Sequence, residues 1–318
     1  MSDTTLDLAR TGPGGADPAV GEGARVSDFL QLLKPRVMSL VVFSGIAGMM
    51  AAPGHLHPLL AGVAVLCIAV GAGAAGAINM WYDRDIDAIM SRTCRRPIPA
   101  GRVEPSEAAG FGVVLAIGSV SLMGLAVNWL AAGLLAAAIL FYVLVYTMWL
   151  KRRTPQNIVI GGAAGAFPPM IGWAAVTGHV GLAPLALFLL IFMWTPPHFW
   201  ALALFRAGDY AKAGVPMLPV VAGARATKVQ MLAYTLMLFP VALSPWALGI
   251  AGHVYGAMAA VLGGLFILAA VSVLLDKTDR SAKRMFGFSI LYLFLLFALI
   301  MVDRAPGLLG AFRMGGFA

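Results

Sequence analysis

Charge is scarce in this sequence. Only 11% of its 318 residues are Asp, Glu, Lys or Arg while 60% are hydrophobic, which excludes an ordinary soluble domain and fits a chain whose main solvent is lipid. Cysteine is scarcer still. Cys67 lies within an apolar run and Cys94 within a polar one, so the pair offers no disulfide framework and matches no metal or redox spacing. Residues 1–26 lack any apolar periodicity. Rich in Gly, Ala, Pro, Thr and Asp, they have too little to bury and are expected to be a disordered tail. They also lack the apolar core of a secretory signal, and their four acids do not suit a transit peptide.

What the chain has in abundance is long apolar runs. A helix needs about 20 such residues to cross roughly 30 Å of hydrocarbon, and the runs predict nine spans: 35–52, 57–79, 107–127, 129–149, 157–177, 182–204, 228–250, 252–275 and 285–303. The expected protein is therefore an all-α integral membrane bundle over 27–303, with a short C-terminal tail, 304–318. With nine spans, twenty of the 22 Lys and Arg residues fall on one side, and only Arg304 and Arg313 oppose them. The positive-inside rule makes that side the cytoplasm, with the N-terminus inside and the C-terminus outside. A bacterial inner membrane is the expected location and the lipid bilayer an expected partner; no nucleic-acid partner is expected.

The scarce charges are concentrated. The stretch NMWYDRDIDAIMSRTCRRPIPAGR, residues 79–102, holds three aspartates and five arginines. Asn79, Asp83 and Asp87 are spaced i, i+4, i+8, which puts them on one helix face with a drift of about 40° and a rise of about 6 Å per step. Asp85 points elsewhere. Two carboxylates and an amide oxygen on one stripe are hard ligands suited to Mg²⁺ brought by a phosphorylated substrate, and ionisable groups at membrane depth are usually functional. Arg92, Arg95 and Arg96 follow, and guanidinium forks match phosphate oxygens. Basic loops also fix topology, so each arginine has two readings; Arg92 and Arg96 are the favoured phosphate contacts.

A second loop, TPPHFWALALFRAGDYAKAGVPMLPVV, echoes the first and hints at an internal repeat. Asp209 and Lys212 are its candidate contributors to a diphosphate site. His198 is read either as a packed residue bonded to a carbonyl freed by Pro196 and Pro197, or as a proton-transfer or substrate-contact group. A third loop, YTMWLKRRTPQNIVIGGAAGAFPPMIGW, sets Lys151 where it could complete the anion pocket, while Arg152 and Arg153 read as topology markers. Its GGAAG reads as a close-packing surface and not as a nucleotide loop. Lys34 and Arg36, opening the first span, are further phosphate candidates. Aromatics such as Trp81, Tyr142, Tyr146, Trp194 and Phe199 suit an interfacial belt, with a minority facing inward to shield a cation.

Acids for a metal and arginines for phosphate at a membrane surface suggest a diphosphate head on a lipid tail, as in a prenyl diphosphate. The pattern N-x-x-x-D-x-x-x-D at Asn79, Asp83 and Asp87 resembles the first motif of the UbiA-type intramembrane prenyltransferases, a family of nine-helix, Mg²⁺-dependent enzymes. More narrowly, NMWYDRDIDAIMSRT-x-x-RP, YT-x-WLKRRTPQNIVIGG, WTPPHFWALAL and DYAKAGVPMLPVV resemble that family's haem-directed branch, across residues 27–303. The resemblance implies farnesyl transfer from farnesyl diphosphate to a vinyl group of haem B, with Asn79, Asp83, Asp87, His198 and Asp209 in the active site. Haem A synthase and oxidase assembly factors are the protein partners it suggests. One departure matters: most of the superfamily carries two aspartates after the sixth span, whereas this chain has His198 and the single acid Asp209. An enzyme for an aromatic quinone precursor is the rival within the family, and a haem transporter or scaffold the rival outside it.

Overall fold

The computed structural model describes residues 24–304. These residues form helices α1 (Val26–Leu32), α2 (Pro35–Ala51), α3 (Pro58–Tyr82), α4 (Arg84–Ile89), α5 (Pro105–Ala126), α6 (Trp129–Leu150), α7 (Asn157–Thr177), α8 (Leu182–Phe205), α9 (Ala207–Lys212), α10 (Leu218–Val221), α11 (Gly223–Ala247), α12 (His253–Leu275) and α13 (Arg280–Arg304), with no strand among them. Eight are long and apolar enough to cross a membrane, and the bent pair α1 and α2 makes a ninth if it is counted as one span. The expected tails fall almost wholly outside the described residues, although the chain is already helical at Val26 and still helical at Arg304.

The bend between α1 and α2 is 54° and has a local cause. Pro35 has no N–H to continue the helix, and its ring drives the residue before it out of right-handed helical space. Lys34 is out of that space, at φ 53°, ψ 56°, in the left-handed region and not in the extended one that usually precedes proline. The helices otherwise follow the predicted spans, but α11 and α13 begin five residues early, at Gly223 and Arg280. Hydropathy marks where lipid begins, whereas a helix runs on through polar residues such as Arg280, Lys283 and Arg284 into water.

α7 and α8 are the most enclosed of the spans, 61% of each apolar window being buried. One apolar core lies where α8, α11, α12 and α13 meet, and a second where α3, α5 and α6 meet α7. α2 crosses α7 at very short range: a Cβ on Gly48 would stand 2.0 Å from the Pro169 carbonyl oxygen, and one on Gly172 2.0 Å from that of Gly45. Small residues let the backbones touch there, as in many membrane helix pairs. The polar loops after α3 and α8 fold alike, each turning into a six-residue helix, α4 and α9. That likeness agrees with the echo in the sequence.

Candidate active site

α3 runs into α4 through Asp83 with its register kept: the Asp83 amide bonds the Asn79 carbonyl at 2.9 Å and the Asp87 amide bonds the Asp83 carbonyl at 2.8 Å. Asn79, Asp83 and Asp87 therefore share one stripe, and all three are buried. Each meets a cation. Lys34 Nζ donates to Asn79 Oδ1 at 2.6 Å, Arg96 Nη1 to Asp87 Oδ2 at 2.6 Å, and Lys151 Nζ pairs with Asp83 Oδ2. Asn79 Nδ2 donates to Asp83 Oδ2 at 2.6 Å and to Thr147 Oγ1 at 3.1 Å, tying α3 to α6. Asp83 Oδ1 is buried without a hydrogen bond, the Arg152 guanidinium standing 3.6 Å away.

Asp85 occupies the opposite face and is 61% exposed. Arg152 grips it with two bonds of 2.7 Å, donates to the Tyr82 carbonyl at 3.1 Å and lies over the Tyr82 ring. That fork holds the Asp85 carboxyl below its ordinary range, and Asp85 in turn raises the guanidinium. Arg152 is thus a structural clamp on the α3–α4 junction.

Lys34, Asn79, Asp87, Arg92, Arg96 and Lys151 line the polar end of a cavity of about 340 Å³ that descends between α2, α3, α6 and α7. The rest of the wall is largely apolar and aromatic, with Tyr142, Tyr146, Phe199 and Tyr210 among its residues. Burial pushes the Tyr210 phenol up, so it keeps its proton at neutral pH. The sequence did not reveal how α6 delivers its residues. From Phe141 to Leu150 the helix is π-wound, and the Lys151 amide bonds the Tyr146 carbonyl five residues back, at 2.9 Å. In an α-helix residues five apart diverge by about 140°; here Tyr146 and Lys151 both reach the cavity. Such winding is rare and tends to occur at functional sites. Thr147 was not singled out by the sequence, which also left open which aromatics face inward; Tyr142 and Tyr146 are among those that do. Their four-residue spacing was the only signal available.

Several expected site residues do not line the cavity; Asp83 is one, fully buried and joined to the wall through Asn79 and Lys151. His198 does not line the cavity: its ring is sandwiched between Trp194, centroids 4.2 Å apart, and Phe286, 4.7 Å, with Nδ1 2.6 Å from Ser289 Oγ. The helical phase of α8 turns Phe199, not His198, to the chamber. Asp209 is also off the wall; it accepts from Ser91 Oγ at 2.7 Å and lies 3.7 Å from Arg206, linking the second polar loop to the first. Lys212 ends α9 exposed, and Arg36 is exposed on the first turn of α2. Neither touches the cavity.

The donor set suits a small hard cation that arrives with a phosphorylated ligand. Among the described residues no three His, Cys, Asp or Glu cluster for a metal by themselves, but two carboxylates and an amide oxygen stand together, and Asp83 Oδ1 accepts no hydrogen bond. Mg²⁺ is commonly held by one or two carboxylates, with phosphate and water completing its shell.

Comparison with known proteins shows which fold and family this chain shares. The chain is 59% identical over 314 residues to the protoheme IX farnesyltransferase of Parvibaculum lavamentivorans, covering 98% of both chains. It is 59% identical over 317 residues to that of Acidiphilium cryptum, covering 96% of this chain and 99% of the relative. Among solved structures, a digeranylgeranylglyceryl phosphate synthase shares the fold with TM-score 0.74 at 20% identity, covering 88% of this chain and 98% of the other. A UbiA homologue from Archaeoglobus fulgidus, bound to GPP and Mg²⁺, does so with TM-score 0.62 at 18% identity, covering 86% and 100%. Residues 40–300 match the UbiA prenyltransferase family as a whole, and the chain belongs to that family.

Proposed function

We propose that this protein transfers the farnesyl group of farnesyl diphosphate to a vinyl group of haem B, releasing diphosphate and, after water adds, giving haem O. The observation that carries the reading is near-whole-chain identity of 59% to relatives bearing that activity in their names. The chamber supports it, with one acid, Asp87, the Asn79 amide and the cations Lys34, Arg92, Arg96 and Lys151 at one end of a mostly apolar shaft that suits a charged head and an isoprenoid tail.

In this reading Asn79 and Asp87 on the cavity wall, together with the buried Asp83, would hold Mg²⁺, which would supply positive charge to a departing diphosphate. Lys34, Arg92, Arg96 and Lys151 take the phosphate oxygens. As the farnesyl C1–O bond breaks, these cations receive the developing negative charge, and the buried wall keeps water from the allylic cation. The faces of Tyr142, Tyr146 and Phe199 shield that cation. The terminal carbon of the haem vinyl then bonds to C1, leaving a cation beside the porphyrin ring. Water adds there and loses a proton, so the product carries a hydroxyethylfarnesyl group. His198, Asp209, Lys212 and Arg36 make no substrate contact in this scheme.

The polar end faces the cytoplasm of a bacterial plasma membrane, a placement that rests on the basic loops gathered at that end. The test is a mass-spectrometric assay of purified protein with Mg²⁺ and farnesyl diphosphate, offered haem B or 4-hydroxybenzoate. A farnesylated haem supports the proposal; product from 4-hydroxybenzoate alone overturns it.

A further inference from the structure

Beyond the choice of acceptor, the lower half of the chamber bears on the donor. We propose that Ile68, Leu135 and Ile171 form a floor that limits the prenyl chain to three isoprene units, with α3 as the ruler. The proposal rests on the transferase reading and adds to it the residues that select chain length.

The chamber wall on α3 can be followed turn by turn. Asn79 lies at the polar end, Ala75 and Gly76 come next, then Ala72, then Ile68. From Asn79 to Ile68 is eleven residues, about 16 Å or three helical turns at 1.5 Å per residue. An isoprene unit adds four backbone bonds. Since an extended chain covers about 3.5 Å per three bonds, each unit reaches about 5 Å, close to one 5.4 Å turn. Three turns therefore hold three units.

Side-chain size changes abruptly along this path. Above the floor α3 presents only the small residues Ala72, Ala75 and Gly76 to the cavity, and α7 contributes Gly161, Gly162, Ala164 and Gly165 to its wall. A Cβ on Gly165 would meet nothing within 4 Å, so the shaft is open there. At the floor Ile68 is 1% exposed, Leu135 2% and Ile171 1%. Ile68 is wedged in place: a Cβ on Gly45 of α2 would come within 3.1 Å of its Cδ1 and 3.6 Å of the Pro168 carbonyl oxygen on α7. α3 is also close to α6, where a Cβ on Gly71 would stand 2.9 Å from Leu135 Cδ1. Close packing on both sides leaves the floor little room to yield, so a fourth unit meets packed side chains and not free volume.

Two substitutions move the floor in opposite directions. Ile68→Ala lowers it, and Ala72→Leu raises it by one turn by filling open shaft without disturbing the packing below. Full-length protein in detergent, with Mg²⁺ and haem B, is offered an equimolar mixture of geranyl, farnesyl and geranylgeranyl diphosphates, and the adducts are counted by mass spectrometry. The expected results are a farnesyl adduct from the wild type, a rise of at least about tenfold in the geranylgeranyl-to-farnesyl ratio for Ile68→Ala, and a similar rise in the geranyl-to-farnesyl ratio for Ala72→Leu, the discrimination typical of small steric changes in an apolar pocket. Monodisperse variants that keep the wild-type order overturn the ruler and leave the transferase reading standing. Should Ile68→Ala not survive purification, Ala72→Leu decides the matter alone. No adduct from the wild type with any donor overturns the transferase reading and the ruler with it.

Discussion

Lys34 donates its ammonium to Asn79 Oδ1 across 2.6 Å from a backbone held at φ 53°, and among the described residues no other non-glycine has a positive φ. A lysine in left-handed space costs about 1–2 kcal/mol, and such conformations persist where the surrounding structure enforces them, often at functional sites. Two variants separate backbone from amine. Lys34→Ala keeps the strain and removes the charge; Lys34→Gly removes both. Both should lower kcat/KM for farnesyl diphosphate by about 10²-fold, the usual loss of one donor to developing charge. Lys34→Gly should in addition be more stable than Lys34→Ala by about 1 kcal/mol in thermal unfolding. Equal stability of the two would show that the bend carries no strain.

Asp83 and Lys151 are a second dependent pair, Asp83 fully buried and Lys151 nearly so. Removing one partner of a buried pair strands the other charge and typically costs about 3–5 kcal/mol, whereas an apolar replacement of both is tolerated. Asp83→Ala should therefore be inactive and lose about 3 kcal/mol, and Asp83→Ala with Lys151→Met should regain most of that stability while remaining inactive. Activity in the double variant would remove both residues from the proposed diphosphate site.

Gly161 makes room for a chamber wall residue. A Cβ there would lie 2.2 Å from Tyr146 Cδ2, so Gly161→Ala must displace the ring. The expected outcome is a fall in kcat of roughly tenfold or more, since small misplacements near the reacting centre are costly. Gly133→Ala, where nothing lies within 4 Å, should be silent and serves as the control. Equal kinetics for the two alanine variants would mean that Tyr146 plays no part in turnover.

The Asp85–Arg152 clamp predicts a pH signature. Asp85 has a depressed carboxyl, so its stabilisation is fully present above its ordinary value of 3.8 and is lost as pH falls below that value through the folded one. Because Asp85 is largely exposed, the effect is at most about 1 kcal/mol. Asp85→Asn should be slightly less stable than wild type at pH 6, with the gap closing below about pH 4. Thermal unfolding across that range checks it, and a gap that persists in acid would place the effect elsewhere than in the carboxylate charge.

Much of this molecule was legible in its sequence because lipid imposes a simple rule: every backbone polar group in the bilayer must be satisfied within its own helix. Apolar length therefore announced the spans, and the i, i+4, i+8 spacing of Asn79, Asp83 and Asp87 their common face, which the unbroken register through Asp83 preserves. Sequence alone could not decide what faces the chamber. Lys34 reaches Asn79 through a proline-induced bend, Lys151 shares a wall with Tyr146 through π-winding, and His198 turns away into a stack with Trp194 and Phe286. In a chain that is apolar on nearly every side, the inner and outer faces of a helix carry the same residues. Hydrophobic periodicity therefore gives no phase, and only packing against neighbouring helices sets which side looks in.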